Sequence, residues 1–168
     1  MISLIWAQDQ NGVIGDSRTN QMPWPKISED LHFLKEKTIG QIVVMGRKTF
    51  DSLNNVPLPG RKNIILTSSK YDHVKTINNL NYLKIIEKSE PNSNIYILGG
   101  RSVYLETLPF ADYLYRTTIK AEFNGDIIMP NIEYKNYKKL STKNVHTSIG
   151  LDLSFEKFKK ITNSSKWT

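Results

Sequence analysis

The sequence predicts an α/β domain in which a mainly parallel sheet carries helices on both faces and continues into an antiparallel C-terminal part. Through the first two thirds of the chain, short apolar runs with β-branched residues alternate with helical stretches, which is the pattern of a parallel sheet. The last third has strand-like segments with few helical stretches between them, which favours antiparallel strands. Ligands of such sheets bind beyond the carboxyl ends of the parallel strands, so candidate site residues are expected there.

The individual strands are predicted from hydrophobic runs bounded by glycine or small hydroxyl residues. They are Ile2–Ala7, Gln41–Met45, Asn63–Leu66, Asn94–Leu98, Tyr113–Ile119, Tyr137–Thr142 and Leu151–Lys159. One helix is predicted from Ser28, as its N-cap, to about Thr38, because two acids occupy the first turn and Gly40 follows the end. The final residues, Ile161 to Thr168, are expected to be a frayed tail.

The composition excludes several classes of protein. The chain has 168 residues, enough for one domain with a real core, and 39% of them are hydrophobic. There is no cysteine, which excludes disulfides and thiolate metal sites, and the three histidines lack metal-ligand spacing. The apolar start is short and has no basic flank, and no other run approaches the length of a membrane span. We therefore expect a cytoplasmic protein without a metal, and a monomer.

The formal net charge of +7 motivates one function of a different class, a nucleic-acid-binding module. The basic residues are scattered, however, and no recognised nucleic-acid-binding motif is present. The densest groups, Lys135–Lys143 and Lys157–Lys160, alternate with aromatic residues, which is typical of strands with one solvated face. No specific nucleic acid and no membrane is therefore expected as a partner.

Three predicted strand ends carry residues suited to phosphate binding. Gln41–Met45 runs into Gly46-Arg47-Lys48-Thr49, and the strand that ends at Leu98 runs into Gly99-Gly100-Arg101-Ser102. In both places glycine lets the backbone approach an anion, and a helix start offers free amide groups. The third strand end, Leu66-Thr67-Ser68, adds hydroxyl groups. Each strand end alone is most often just a turn, but three of them at one edge of a sheet favour a dinucleotide.

The same strand ends indicate which dinucleotide is bound. No Gly-x-Gly-x-x-Gly follows the first strand, and no acid is placed to accept a ribose 2′-hydroxyl. Arg47 and Lys48, together with Ser68, would instead suit a 2′-phosphate. The sequence therefore favours NADPH over NADH.

Asp30 is the candidate acid, although a carboxylate in the first turn of a helix is most often only a dipole partner. Leu31, Phe33 and Leu34 share its helix and Trp24 precedes it, so its surroundings could be dry. An acid in an apolar pocket has a raised pKa and orients a heterocycle through paired hydrogen bonds. Glu29 is the rival acid; we prefer Asp30 because Phe33 and Leu34 follow it at helical spacing, on its own face.

Several separated motifs resemble those of dihydrofolate reductases, from Met1 to about Lys160. They are Val13-Ile14-Gly15, Met22-Pro23-Trp24, Asp30-Leu31, Met45-Gly46-Arg47-Lys48-Thr49-Phe50, Pro57-Leu58-Pro59-Gly60-Arg61, Leu98-Gly99-Gly100 with Val103-Tyr104, and Gly125-Asp126. The resemblance implies a single domain over residues 1–160, with an adenosine-binding part at about 41–92. It also implies a twisted sheet of about eight strands.

The resemblance further implies a reaction, the reduction of 7,8-dihydrofolate to 5,6,7,8-tetrahydrofolate by NADPH in one-carbon and thymidylate metabolism. Antifolate-like small molecules are then expected to bind in place of the substrate. Asp30 would hold the pteridine and promote protonation at N5, while Thr117 would bond this carboxylate and Trp24 would fix a water beside it. The expected pocket residues are Ile5, Ala7, Met22, Leu31, Leu34, Leu53 and Leu98, with Arg61 for the glutamate carboxylate and Tyr104 near the nicotinamide.

For the cofactor, the resemblance implies three groups of contacts. Ala7, Ile14, Gly15 and Tyr104 would contact the nicotinamide end; Gly46, Arg47, Lys48, Thr49, Leu66, Thr67 and Ser68 would hold the adenosine phosphates; and Gly99, Gly100, Arg101, Ser102 and Val103 would cover the pyrophosphate. The segment Gly15–Trp24 is similar to a mobile loop that closes over the nicotinamide, and Asp126 is similar to the acid that braces it.

A second enzyme reading is a pyrimidine reductase of riboflavin synthesis, which would share the sheet and the NADPH site. Met22-Pro23-Trp24 together with Asp30 argues against it. The chain also departs from many dihydrofolate reductases, because it has one extra residue between Trp24 and Asp30.

Overall fold

The computed structural model describes residues 1–161 as a twisted eight-stranded sheet with helices on both faces. The helices are α1 (Ser28–Thr38), α2 (Arg47–Ser52), α3 (Tyr82–Ser89) and α4 (Arg101–Thr107). The strands are β1 (Ile2–Asp9), β2 (Val13–Gly15), β3 (Ile42–Gly46), β4 (Lys62–Leu66), β5 (Lys75–Ile77), β6 (Ile95–Ile97), β7 (Tyr113–Ile119), β8 (Ile127–Ile128), β9 (Tyr137–His146) and β10 (Asp152–Lys160). Apart from Ile161, the predicted tail lies outside the described residues.

The strand order is β5-β4-β3-β6-β1-β7-β10-β9. All neighbours from β5 to β7 are parallel, and β10 and β9 add antiparallel pairs. The predicted fold class is therefore confirmed. Strand β5 and the separate β2–β8 ribbon were not predicted, because runs of two or three residues carry no periodic signal.

The two faces of the sheet bury different side chains because neighbouring residues in a strand point to opposite sides. On one face, Ile2 and Leu4 of β1 pack in a cluster with residues of α3 and α4. On the other face, Ile5 packs with Phe50 of α2, and Leu34 of α1 lies against the same cluster. The helix α1 therefore covers the face onto which Ile5 and Ala7 project.

The prediction of Ser28 as the N-cap of α1 is wrong. Ile27 holds that position with an extended backbone, φ −111°, and no side chain caps the helix. The Ser28 hydroxyl instead donates to Glu29 Oε1 at 3.1 Å. Because Ile27 is only 3% exposed and packs in one cluster with Trp24, burial of this apolar side chain sets the entry of the chain into the helix.

The basic C-terminal strands differ from the expectation of one solvated face. β9 is the last strand of the sheet and is exposed along almost its whole length. Its neighbour β10 is mostly buried, with Lys157 Nζ lying 4.9 Å from the ring centre of Tyr113. Lysines on an exposed edge strand oppose pairing with another chain.

Arg116 of β7 and Glu156 of β10 form an ion pair of 2.8 Å within the antiparallel part. The guanidinium also lies over the rings of Tyr134 and Phe158, at 4.8 and 5.0 Å. Burial acts to raise the pKa of Glu156, but hydrogen bonds from Lys139 and Arg116 outweigh it and hold the pKa below its ordinary value. The carboxylate therefore stabilises the folded chain in its charged form.

We expect Glu156→Gln to lower the free energy of unfolding by about 3 kcal/mol at neutral pH, because Arg116 would lose its buried counter-charge. A lowered carboxylate pKa contributes stability above the unfolded value and loses it as pH falls. The difference between the two proteins should therefore shrink in acid, which urea denaturation at pH 7 and pH 4 would reveal. Glu90→Gln, which removes the exposed pair with Lys62, is the control and should change little. Equal effects of the two substitutions would contradict this account.

Candidate active site

Asp30 lies in the first turn of α1, and its carboxyl group forms a hydrogen bond with Thr117 of the sheet. It lines a cavity of about 200 Å³ together with Met22, Trp24 and Leu31. In the sheet beside this cavity, Thr117 of β7 pairs in register with Ala7 of β1. The three expected catalytic residues, Asp30, Trp24 and Thr117, are thus brought together from three separate parts of the chain.

The environment of Asp30 is largely apolar. Trp24 and Ile27 are buried beside it in a cluster with Phe155, which stacks on Phe33 of α1 at 4.4 Å between ring centres. Burial raises the pKa of Asp30 to about 6, while the hydrogen bond with Thr117 opposes the increase. A carboxyl group with this pKa is partly protonated near neutral pH, whereas an ordinary surface aspartate is almost fully ionised.

Glu29, the rival acid, has a different environment. Its Oε2 accepts a hydrogen bond from the Ser148 backbone amide at 2.8 Å, in the turn between β9 and β10. This hydrogen bond lowers the pKa of Glu29, and Glu29 does not line the cavity that contains Asp30. Of the two acids, Asp30 is therefore the one placed for proton chemistry.

The expected pocket residues divide into two sets. Ile5 belongs to the cluster against which Leu34, Leu53 and Leu98 pack, so these four share one apolar wall. Met22 and Leu31 are 45% and 40% exposed at the cavity. Large apolar side chains left open beside a carboxyl group can still be covered by a flat ligand.

Arg61 lies near the other end of α1. Its Nε donates to the Pro59 carbonyl at 3.0 Å and one terminal nitrogen donates to Thr38 Oγ1 at 3.2 Å. Thr38 is the last residue of the helix whose first turn contains Asp30, so with 1.5 Å per residue Arg61 lies about 12 Å farther along the helix axis. An acid and a guanidinium therefore lie near the two ends of α1, and the space along the helix between them is hereafter called the groove.

A second crevice opens at the carboxyl ends of β3 and β6, where two glycines meet. The Gly46 amide donates to the Gly99 carbonyl at 2.7 Å, and the Gly99–Gly100 peptide is cis. A Cβ added at Gly46 would lie 3.1 Å from Val103 Cγ2, and one at Gly99 would lie 3.2 Å from the Tyr104 ring. The floor of this crevice is backbone, as a pyrophosphate requires for close approach.

The remaining expected cofactor residues differ in how exposed they are. Arg47, Lys48, Ser68 and Ser102 are exposed, whereas Ile14, Thr49, Leu66 and Thr67 are partly buried. The Thr67 hydroxyl accepts a hydrogen bond from the Ser69 amide at 3.1 Å. Arg101 donates through Nε to the Ile128 carbonyl at 2.9 Å, so its side chain reaches β8 of the small ribbon, a contact that the sequence did not suggest.

The segment Gly15–Trp24, hereafter the lid, contributes Met22 and Trp24 to the lining of the Asp30 cavity. The Ser17 amide donates to Asp126 Oδ1 at 2.8 Å, and its hydroxyl donates to Asp126 Oδ2. On the opposite side, the side-chain amides of Asn20 and Gln21 donate to the Lys48 and Ser52 carbonyls of α2 at 2.9 and 3.2 Å. The lid is therefore anchored at two places.

Sequence reasoning missed the anchoring roles of Asn20 and Gln21, as well as Lys26, which lines the Asp30 cavity. Polar residues in an irregular loop carry no periodic signal, so nothing in the sequence distinguishes them from ordinary surface residues. Among residues 1–161, no group of His, Asp or Glu side chains could hold a metal ion. Within the same range, no helix has the length and apolarity to span a membrane.

Asp30→Asn should stabilise the ligand-free protein at high pH. The pKa of Asp30 lies above its ordinary 3.8, at about 6, so the native state binds more protons than the unfolded state between these values and stability falls as pH rises through them. We expect the variant to gain about 3 kcal/mol at pH 8 and nothing below pH 4, as measured by urea denaturation. Glu29→Gln, the control, should give no such gain. An Asp30→Asn protein less stable than its parent at pH 8 would contradict this expectation.

Comparison with known proteins places the chain in a family. The family described as Dihydrofolate reductase matches residues 1–160. The dihydrofolate reductase of Bacillus subtilis is 37% identical, covering 85% of this chain and 83% of that protein, and that of Buchnera aphidicola from Acyrthosiphon pisum is 39% identical, with 85% and 90% covered. A solved dihydrofolate reductase from Enterococcus faecalis, complexed with NADP(H) and RAB-propyl, is 33% identical with a TM-score of 0.86, covering 96% of this chain and 97% of that one. The chain belongs to the dihydrofolate reductase family.

Proposed function

We propose that this chain reduces 7,8-dihydrofolate to 5,6,7,8-tetrahydrofolate with a hydride from NADPH. The observation that carries the proposal is a single carboxyl group, Asp30, with a pKa raised to about 6 in an apolar cavity. The backbone-floored crevice at Gly46 and Gly99 lies at the edge of the same sheet. The similar enterococcal enzyme, solved with NADP(H), supports the choice of cofactor.

In this proposal Asp30 binds the N3 and 2-amino groups of the pterin through paired hydrogen bonds and promotes protonation at N5. A carboxyl group that titrates near pH 6 exchanges its proton under the conditions in which it must act. Thr117 holds the carboxylate in orientation, and Trp24 forms the cavity wall where a water would bridge the acid to N5. No covalent intermediate is needed.

The groove along α1 fits the rest of the substrate. With the pterin at Asp30, the benzoyl group lies against Leu34 and Leu53, and the α-carboxylate meets the Arg61 guanidinium. Burial lowers the pKa of Arg61, and two of its nitrogens are already engaged within the chain. Its planar fork is therefore held in place before the ligand arrives.

The backbone at Gly46, Gly99 and Gly100 fits a pyrophosphate, because side chains there would occupy the space. NADPH bound in this crevice would supply the hydride, while Arg47, Lys48 and Ser68 would bind the 2′-phosphate. Residues of about 41–92 would thus form the adenosine-binding part. Ile14, Gly15 and Tyr104 would border the nicotinamide, and the lid would exclude water from the reacting atoms.

We further propose that the protein acts in the cytoplasm as a monomer. The cavity at Asp30 and the apolar wall at Ile5 are both formed by elements of one domain. Gel filtration of the purified protein tests the oligomeric state.

NADPH oxidation should require dihydrofolate, and NADH should be a poor substitute because the exposed cations at 47 and 48 would have no 2′-phosphate to bind. Asp30→Asn should bind NADPH as the parent does but lose most turnover at neutral pH, since the proton-exchanging group is gone. Initial rates at several pH values, with a fluorescence titration of NADPH, measure both effects. Parent-like turnover by Asp30→Asn would refute the role of this acid, and oxidation only with a ribosylaminopyrimidine would favour the pyrimidine reductase.

A pair of variants should separate the two crevices. Arg61→Lys removes a forked contact and should raise the KM for dihydrofolate by about tenfold or more, with the KM for NADPH unchanged. Arg47→Gln should raise the KM for NADPH, leave the KM for dihydrofolate unchanged and reduce the preference for NADPH over NADH. Steady-state kinetics with one substrate varied at a time provides the measurement, and each variant is the control of the other. Loss of affinity for both substrates in either variant would contradict the assignment.

A further inference from the structure

A fully buried carboxylate, Asp9, lies at the end of β1 and outside the Asp30 cavity. Its Oδ1 accepts hydrogen bonds from the backbone amides of Asn11 and Val13 at 2.8 and 3.0 Å. Its Oδ2 accepts a third from the Phe123 amide at 3.0 Å. One carboxylate therefore binds the backbone of two segments that are more than a hundred residues apart in sequence.

Each of these two segments continues into the site. The first leads through β2 to Gly15, where the lid begins. The second carries Phe123, whose ring meets Trp24 edge to face at 5.8 Å, and Trp24 lines the cavity beside Asp30. A shift of either segment would therefore move a wall of the cavity or the start of the lid.

The same segments touch again near Gly125. A Cβ at this glycine would lie only 2.6 Å from the Gly15 carbonyl oxygen and 2.6 Å from Val13 Cγ1. The next residue, Asp126, holds Ser17 of the lid. Because atoms packed this closely cannot move independently, a displacement of the backbone that Asp9 binds would also displace the first residues of the lid.

We propose that Asp9 is a positioning residue for hydride transfer, which fixes the start of the lid and the segment 121–126 against each other. The inference rests on the proposed reductase function. To bind all three amide donors, Asp9 must accept hydrogen bonds on both of its side-chain oxygens. An asparagine offers one acceptor oxygen and one NH2 donor, so Asp9→Asn leaves at least one of these amides without its acceptor and removes the side-chain bond to one of the two segments. The Gln10 amide, which donates to the Ala121 carbonyl at 3.2 Å, still joins the segments, so the protein should fold with a looser contact there.

Asp9→Asn should lower kcat about tenfold, because loss of one hydrogen bond to a charged group favours open arrangements of the lid by roughly that factor. The Kd for NADPH, from fluorescence titration, should stay within about twofold, since the adenosine end is held elsewhere. Asp112→Asn is the matched control. Asp112 accepts the Ile2 amide at 2.9 Å at the opposite end of the sheet, so its loss should reduce stability and leave kcat unchanged.

Unchanged kcat in a folded Asp9→Asn protein, or an equal loss of kcat in Asp112→Asn, would overturn the inference. Hydrogen exchange in the unaltered chain tests it even if Asp9→Asn does not fold. The Phe123 amide should exchange at least about tenfold more slowly than an unbonded loop amide, and free exchange there would also overturn it. If the unaltered chain oxidises no NADPH with dihydrofolate, the proposed function fails; if it does and Asp9→Asn matches it, only this inference fails.

Discussion

The packing of the first turns of α1 against the sheet is the constraint on which the site depends. Phe33 stacks on Phe155 and Ile27 is buried with Trp24, so water is removed from the place where Asp30 meets Thr117. Without that packing, the carboxylate would be an ordinary helix-terminal acid, with a low pKa that leaves it ionised at neutral pH. The apolar side chains around Asp30 thus cause its raised pKa.

This arrangement opposes stability, because a carboxyl group with a raised pKa resists ionisation in the folded state. The rest of the sheet offsets that penalty. The central parallel strands bury apolar runs on both faces, and no residue of β3 or β6 is exposed. The sheet thus supplies stability, whereas the acid at the site reduces it, as is common for functional sites.

The sequence was most informative where long patterns repeat. Alternating apolar runs predicted the parallel strands, and Asp30 could be preferred to Glu29 from helical spacing alone. The sequence was uninformative where a contact joins distant parts of the chain, as Asp9 joins Val13 to Phe123. It also misplaced the cap of α1, because propensity favoured Ser28 whereas burial of Ile27 decided the geometry.

The floor where β3 and β6 end is made of main chain, through the bond between Gly46 and Gly99. Main-chain atoms are identical for every residue type, so the surface that would face a bound diphosphate group is nearly independent of the neighbouring side chains. Exposed positions around it are then free to change during evolution while the shape of the cradle persists. A chain only 37% or 39% identical to this one, as two of its relatives are, would not need the same side chains to form such a floor.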